Sequence, residues 1–159
     1  MEPDTSVAAV RERLAALLAG TWVGREERTE TAWAPGGTAS ASWLFSPAAG
    51  GAALVADYAS EQDGRPSLAG HGVLSVDPET HEVLWHWFDT VGHPPREPGV
   101  GTFGDDDVLV LVRTSPRGIN TTTLRRTEEG LEQTIAFTPP GGEAVELVRG
   151  LYLGRARRG

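Results

Sequence analysis

The chain contains no cysteine, which excludes a disulfide framework, a thiolate metal site and a cysteine nucleophile, and leaves a reducing compartment permitted. It also lacks a basic excess. Fourteen Lys and Arg stand against 22 Asp and Glu, a formal net charge of −8 at pH 7, and a surface of that sign opposes phosphate backbones and anionic lipid. Long apolar runs are missing as well, since no segment approaches the ~18 apolar residues that a membrane span requires. The sequence therefore predicts a soluble, cytoplasmic protein with neither nucleic acid nor membrane as partner. P-loop, dinucleotide and nucleophile-elbow signatures are absent too, so no catalytic residues are assigned.

What is present reads as one domain over residues 1–159, a length that can bury about two-thirds of its unfolded surface. Near the start, Val7, Val10, Leu14, Leu17 and Leu18 recur at helical spacing, with Asp4, Thr5 or Ser6 as the cap and Gly20 as the stop. Beyond Gly20 the period changes to that of strands. They are expected near Thr21–Thr31, Thr38–Phe45, Ala53–Gln62, Ser67–Asp77, Glu82–Thr90, Gly99–Phe103, Val108–Thr114, Ile119–Arg126, Leu131–Thr138 and Glu143–Arg155. The connections, such as "QDGR", "DPETH" and "GDDD", are rich in turn residues and too short for parallel crossovers. The fold class is thus all-β: a single antiparallel up-and-down β-barrel of about ten strands after one short helix, closed so that no edge is exposed.

The helix followed by "LLAGTWVGRE" resembles the opening of calycin-type barrels, in which a Gly-x-Trp at the start of the first strand closes one end; here those positions are Gly20 and Trp22. The stretch "GHGVLSVDPETHEVLWHWFD" resembles the central hairpin of a bacterial branch of that superfamily near the fatty-acid-binding proteins and the nitrobindins. The resemblance implies a barrel that holds a small apolar or amphipathic ligand, as a carrier or sensor.

That hairpin carries three of the chain's four histidines and two of its five tryptophans. A type I turn through Pro78 and Glu79, with His81 in the left-handed position, pairs Asp77 with Glu82 and hence His71 with Phe88. A two-residue Asp63-Gly64 turn pairs Gln62 with Arg65 and sets His71 opposite Ala56. One face of three strands then carries Leu54, Tyr58, His71, Val73, His86 and Phe88, and the other carries Val55, Asp57, Gly70, Gly72, Leu74, Trp85 and Trp87. The first is expected to line the lumen, with Tyr58, His71, His86 and Phe88 in the ligand site, because a pocket needs mixed polar and aromatic groups. The second would be the outer wall. Trp85 and Trp87 would then form an apolar patch suited to a homodimer. A one-residue slip exchanges the two faces.

Arg113 alternates with Leu109 and Leu111, and Arg149 shares a stripe with Val145, Leu147, Leu151 and Leu153. An inward arginine must be paired or must meet a ligand anion. Fatty-acid-binding proteins use inward arginines, helped by a tyrosine, to hold a carboxylate, and that resemblance makes Arg113 and Arg149 ligand-binding candidates. The family's Arg-x-Tyr is not reproduced, because two residues separate Arg149 from Tyr152. No metal site is assigned: His71 and His86 are not directly opposed and no carboxylate completes a set of three. Nitrobindins bind haem through a histidine near the end of the chain, whereas the final forty residues here contain none, so haem would require His71 or His86 as its ligand. An enzymatic alternative would use the same two histidines in the lumen, a histidine beside a carboxylate such as Asp89 serving as a general acid–base pair.

Overall fold

The computed structural model describes residues 4–32 and 34–154. One helix, α1 (Val7–Leu18), precedes ten strands: β1 (Gly20–Arg28), β2 (Gly37–Ala48), β3 (Ala53–Gln62), β4 (Arg65–Val76), β5 (Val83–Asp89), β6 (Gly99–Phe103), β7 (Leu109–Ser115), β8 (Gly118–Arg126), β9 (Leu131–Thr138) and β10 (Val145–Gly154). Each strand pairs antiparallel with its chain neighbours and β1 pairs with β10, which closes the barrel. This is the expected architecture. Strand ends differ from expectation by a few residues, and Arg155, placed at the end of the last strand, lies outside the described residues.

The helix closes one end. Ser6 caps it by accepting from the Ala9 N–H at 3.2 Å, and Val10, Leu14, Leu17 and Leu18 are buried against the barrel, each contributing about 1.5–3 kcal/mol. Trp22 is buried beneath it and donates its indole N–H to the Leu18 carbonyl at 2.8 Å. Arg126 lies over the Trp22 ring and donates to the Ala16 carbonyl, so two of the helix's terminal carbonyls gain partners. Arg13 fastens the same end by pairing with Asp107 at 2.7 Å, in the turn between β6 and β7. The "GDDD" turn is thus a solvated hairpin that anchors the helix.

Because the strands run up and down, the β1–β2, β3–β4, β5–β6, β7–β8 and β9–β10 connections gather at the other end. That end is the mouth. The turn before β5 has the expected form: His81 sits at φ 62° and Asp77 pairs with Glu82 through the N–H to carbonyl bond at 2.9 Å. His71 accordingly pairs with Phe88.

Candidate functional site

The site is decided one strand earlier, where the expected register fails. Gln62 pairs with Arg65 as the turn requires, but a bulge between Ala59 and Glu61 shifts the ladder so that His71 faces Asp57 rather than Ala56. The Ser60 hydroxyl holds the bulge, accepting from the Leu68 N–H at 3.0 Å and donating to the Leu68 carbonyl at 3.1 Å. Pro66 sits beside it, where a missing N–H is tolerated. The extra residue turns β4 over relative to β3.

The expected lumenal face is corrected accordingly. Leu54 and Tyr58 do point inward and are buried, but Gly70, Gly72, Leu74, Trp85 and Trp87 join them. His71, His86 and Phe88 lie on the outer wall. Phe88 is 52% exposed, and the His71 ring hydrogen-bonds Asp57 at 2.7 Å in the open. The enzymatic alternative loses its lumenal histidines. The dimer surface drawn through Trp85 and Trp87 loses its basis as well, since both rings belong to the interior. Arg149 is also outside, bound to Glu146 at 2.8 Å: Tyr152 is buried and Leu153 is 56% exposed, so the stripe that Arg149 shares with Leu151 and Leu153 faces out. Of the expected ligand-binding residues, only Tyr58 and Arg113 line the cavity.

That cavity has a volume of about 360 Å³ and runs from the middle of the barrel to the mouth, within the usual size range of small-molecule sites. One wall is aromatic. Phe45, Trp43, Tyr58, Trp87 and Trp85 form a continuous series of ring contacts with centroids 4.6–6.2 Å apart. Glycines on β4 leave room for the indoles: a Cβ on Gly70 would collide with the Trp87 ring, and one on Gly72 with the Trp85 ring. Trp85 and Trp87 stack at 5.1 Å with planes 22° apart. Asp89 holds the end of this shelf, accepting from the Trp87 indole N–H at 2.9 Å and from the Val91 N–H at 3.0 Å. Leu111, Leu124 and Ile135 line the cavity as well.

Between the aromatic wall and β10 lies a polar cluster that the sequence reading missed. Glu26 is only 2% exposed. Its carboxylate accepts from the Tyr58 hydroxyl at 2.7 Å, from the Tyr152 hydroxyl at 2.7 Å and from Arg28 at 3.0 Å. Arg28 spends its remaining donors on Ser60, Ser67 and Gln62. Burial pulls the guanidinium pKa down, but the Tyr58 phenol and the Glu26 carboxylate bonded to it outweigh that and leave the value raised. Burial, reinforced by the Glu26 charge, pushes both tyrosines far above the ordinary phenol range. A signal for this cluster exists in the sequence: Glu26 and Arg28 fall on the same alternation as the end-closing Trp22.

Arg113 is placed differently. Among the described residues no carboxylate lies within ion-pair distance of it and no side chain or carbonyl accepts from it. Directly opposite, on β8, stands Asn120, whose buried Oδ1 accepts no hydrogen bond. Both residues line the cavity.

Haem does not fit this lumen. No histidine among the described residues faces it: His71 and His86 are outside, His81 bonds the Thr5 carbonyl and His93 contacts Arg117. The phenol oxygens that could replace an imidazole are committed to Glu26.

No protein-family model matches the chain, and no curated protein does. Solved structures do. Rv2717c from M. tuberculosis superposes with a TM-score of 0.69 at 16% identity, over 92% of this chain and 98% of that one. The S-type phycobiliprotein lyase CpeS from Guillardia theta superposes with a TM-score of 0.67 at 11% identity, over 96% and 94% of the two chains. At such identities the likeness is one of fold, a closed ten-stranded antiparallel barrel.

Proposed function

We propose that the barrel binds one small apolar or amphipathic molecule in its lumen, as a carrier or sensor. The observation that carries this reading is the cavity: 360 Å³, open at the mouth, walled by Trp43, Phe45, Trp85 and Trp87 and rimmed by few polar groups. A barrel that needed only a core would fill that volume, since interiors are packed to crystal density. The closed end supports the same reading, because α1 and Trp22 seal it and leave one route in.

The test is a titration with neutral N-phenyl-1-naphthylamine, read by quenching of tryptophan fluorescence, together with native mass spectrometry of protein taken from the cells that make it. One probe molecule per barrel and a co-purified mass are expected. The variant Thr122→Trp, which fills the lumen, should abolish probe binding while keeping its strand circular dichroism. Absence of probe binding to the wild-type protein overturns the reading.

A further inference from the structure

Resting on the lumenal reading above, we propose that the ligand is a flat, conjugated carboxylate: its rings lie on the Trp85–Trp87 shelf and its acid group is held by Arg113, which Asn120 seats. Three observations converge on this class.

The first is shape. Phe45, Trp43, Tyr58, Trp87 and Trp85 wall the cavity as one series of ring contacts. Stacked rings prefer an offset flat partner. An aliphatic chain would gain area there but none of the ring-on-ring contribution.

The second is charge. Of the two arginines that line the cavity, Arg28 is neutralised by Glu26 and has its donors occupied. Asp89 also lines the cavity, and both its oxygens are taken, by Trp87 and Val91. Arg113 is the one of the two arginines whose fork is unspent among the described residues. A guanidinium gains most from a group that accepts two parallel N–H bonds, and a carboxylate has that geometry.

The third is the orphan oxygen. A buried acceptor without a donor costs about 1–3 kcal/mol, and Asn120 Oδ1 is one. Its cross-strand partner is Arg113, and directly opposed Cβ atoms lie roughly 4.5–5.5 Å apart. A ligand acid that draws the guanidinium inward brings an N–H to Oδ1, so one group satisfies both residues. Asn120 is thus a positioning residue.

Four probes decide it by calorimetry: 2-naphthoate, its uncharged analogue 2-naphthylmethanol, the flexible acid decanoate, and N-phenyl-1-naphthylamine as the control for lumenal binding. Wild-type protein should bind 2-naphthoate at least tenfold more tightly than either the alcohol or decanoate. Arg113→Gln should erase the preference over the alcohol, and Arg113→Lys should restore part of it. Asn120→Val should reduce the ratio of naphthoate to alcohol affinity severalfold, a charge-specific change that a merely structural role would not produce. A preference for naphthoate that survives in Arg113→Gln, or decanoate binding as tightly as naphthoate, overturns the proposal while the lumenal reading stands. Failure of N-phenyl-1-naphthylamine to bind overturns both.

Discussion

Arg28 and Arg113 face the same lumen from opposite walls, and their surroundings could hardly differ more. Around Arg28 every donor has an acceptor: Glu26, Ser60, Ser67 and Gln62 are all within 3.2 Å, and the carboxylate it neutralises is fixed by two tyrosines. Around Arg113 there is an apolar strand, an unpartnered amide oxygen and open cavity. The first arrangement is complete without a ligand and holds β1, β3 and β10 together. The second is complete only with one. A buried charge that is fully paired belongs to structure, and one left unpaired beside a cavity belongs to recognition.

The contrast can be broken most severely with base. The chain has two tyrosines, and both belong to the spent cluster. Unfolded tyrosines ionise near pH 10, whereas burial and Glu26 hold the folded ones protonated beyond that. The stability from this difference is therefore fully present below about pH 10 and is lost as pH rises above it. Absorbance at the tyrosinate band should stay flat until the barrel unfolds, and both phenols should then titrate together. A tyrosinate signal in protein with native circular dichroism would remove the cluster from the interior.

Substitution separates the two arginines next. Arg28→Met leaves the Glu26 carboxylate buried without its counter-charge and should cost about 3–5 kcal/mol in urea denaturation, much of it recovered in the double variant with Glu26→Leu. A smaller effect is expected of the shelf: Gly70→Ala drives a methyl into Trp87, should cost about 1–3 kcal/mol, and should shift tryptophan emission. Arg113→Met removes a charge that has no partner and should therefore cost no stability in the same denaturation assay. Equal losses for the two arginines would dissolve the distinction.

Much of the barrel is legible in the sequence because turn chemistry is local. "DPETH" specifies its own hairpin, down to His81 at positive φ, and short connections force antiparallel neighbours. The inside of the barrel is legible only in part. Tyr58 and Arg113 face the cavity, as expected, because each shares an alternation with buried residues of its own strand, whereas the expectation for His71, His86 and Phe88 crosses a β3–β4 register that the bulge shifts by one. That bulge depends on a serine hydroxyl reaching across the ladder to Leu68, a tertiary contact without a compositional mark. Arg149 is outside for a different reason: its apolar stripe on β10 faces solvent, Leu153 included, while Tyr152 fills the interior. Glu26 was missed for another: a charged residue in a strand reads as solvent-facing unless its alternation is followed from Trp22.

The stacked pair Trp85 and Trp87 has an optical consequence. Two indoles with centroids 5.1 Å apart and planes turned by 22° share their electronic transitions, so light absorbed by one is delocalised over both. In a chiral wall such a couple gives circular dichroism of paired, opposite sign. A conjugated molecule laid against the shelf becomes a third member of that couple and acquires a dichroic band it lacks in free solution, its sign set by the handedness of the stack. The barrel thus contains its own spectroscopic gauge of occupancy, readable without a label.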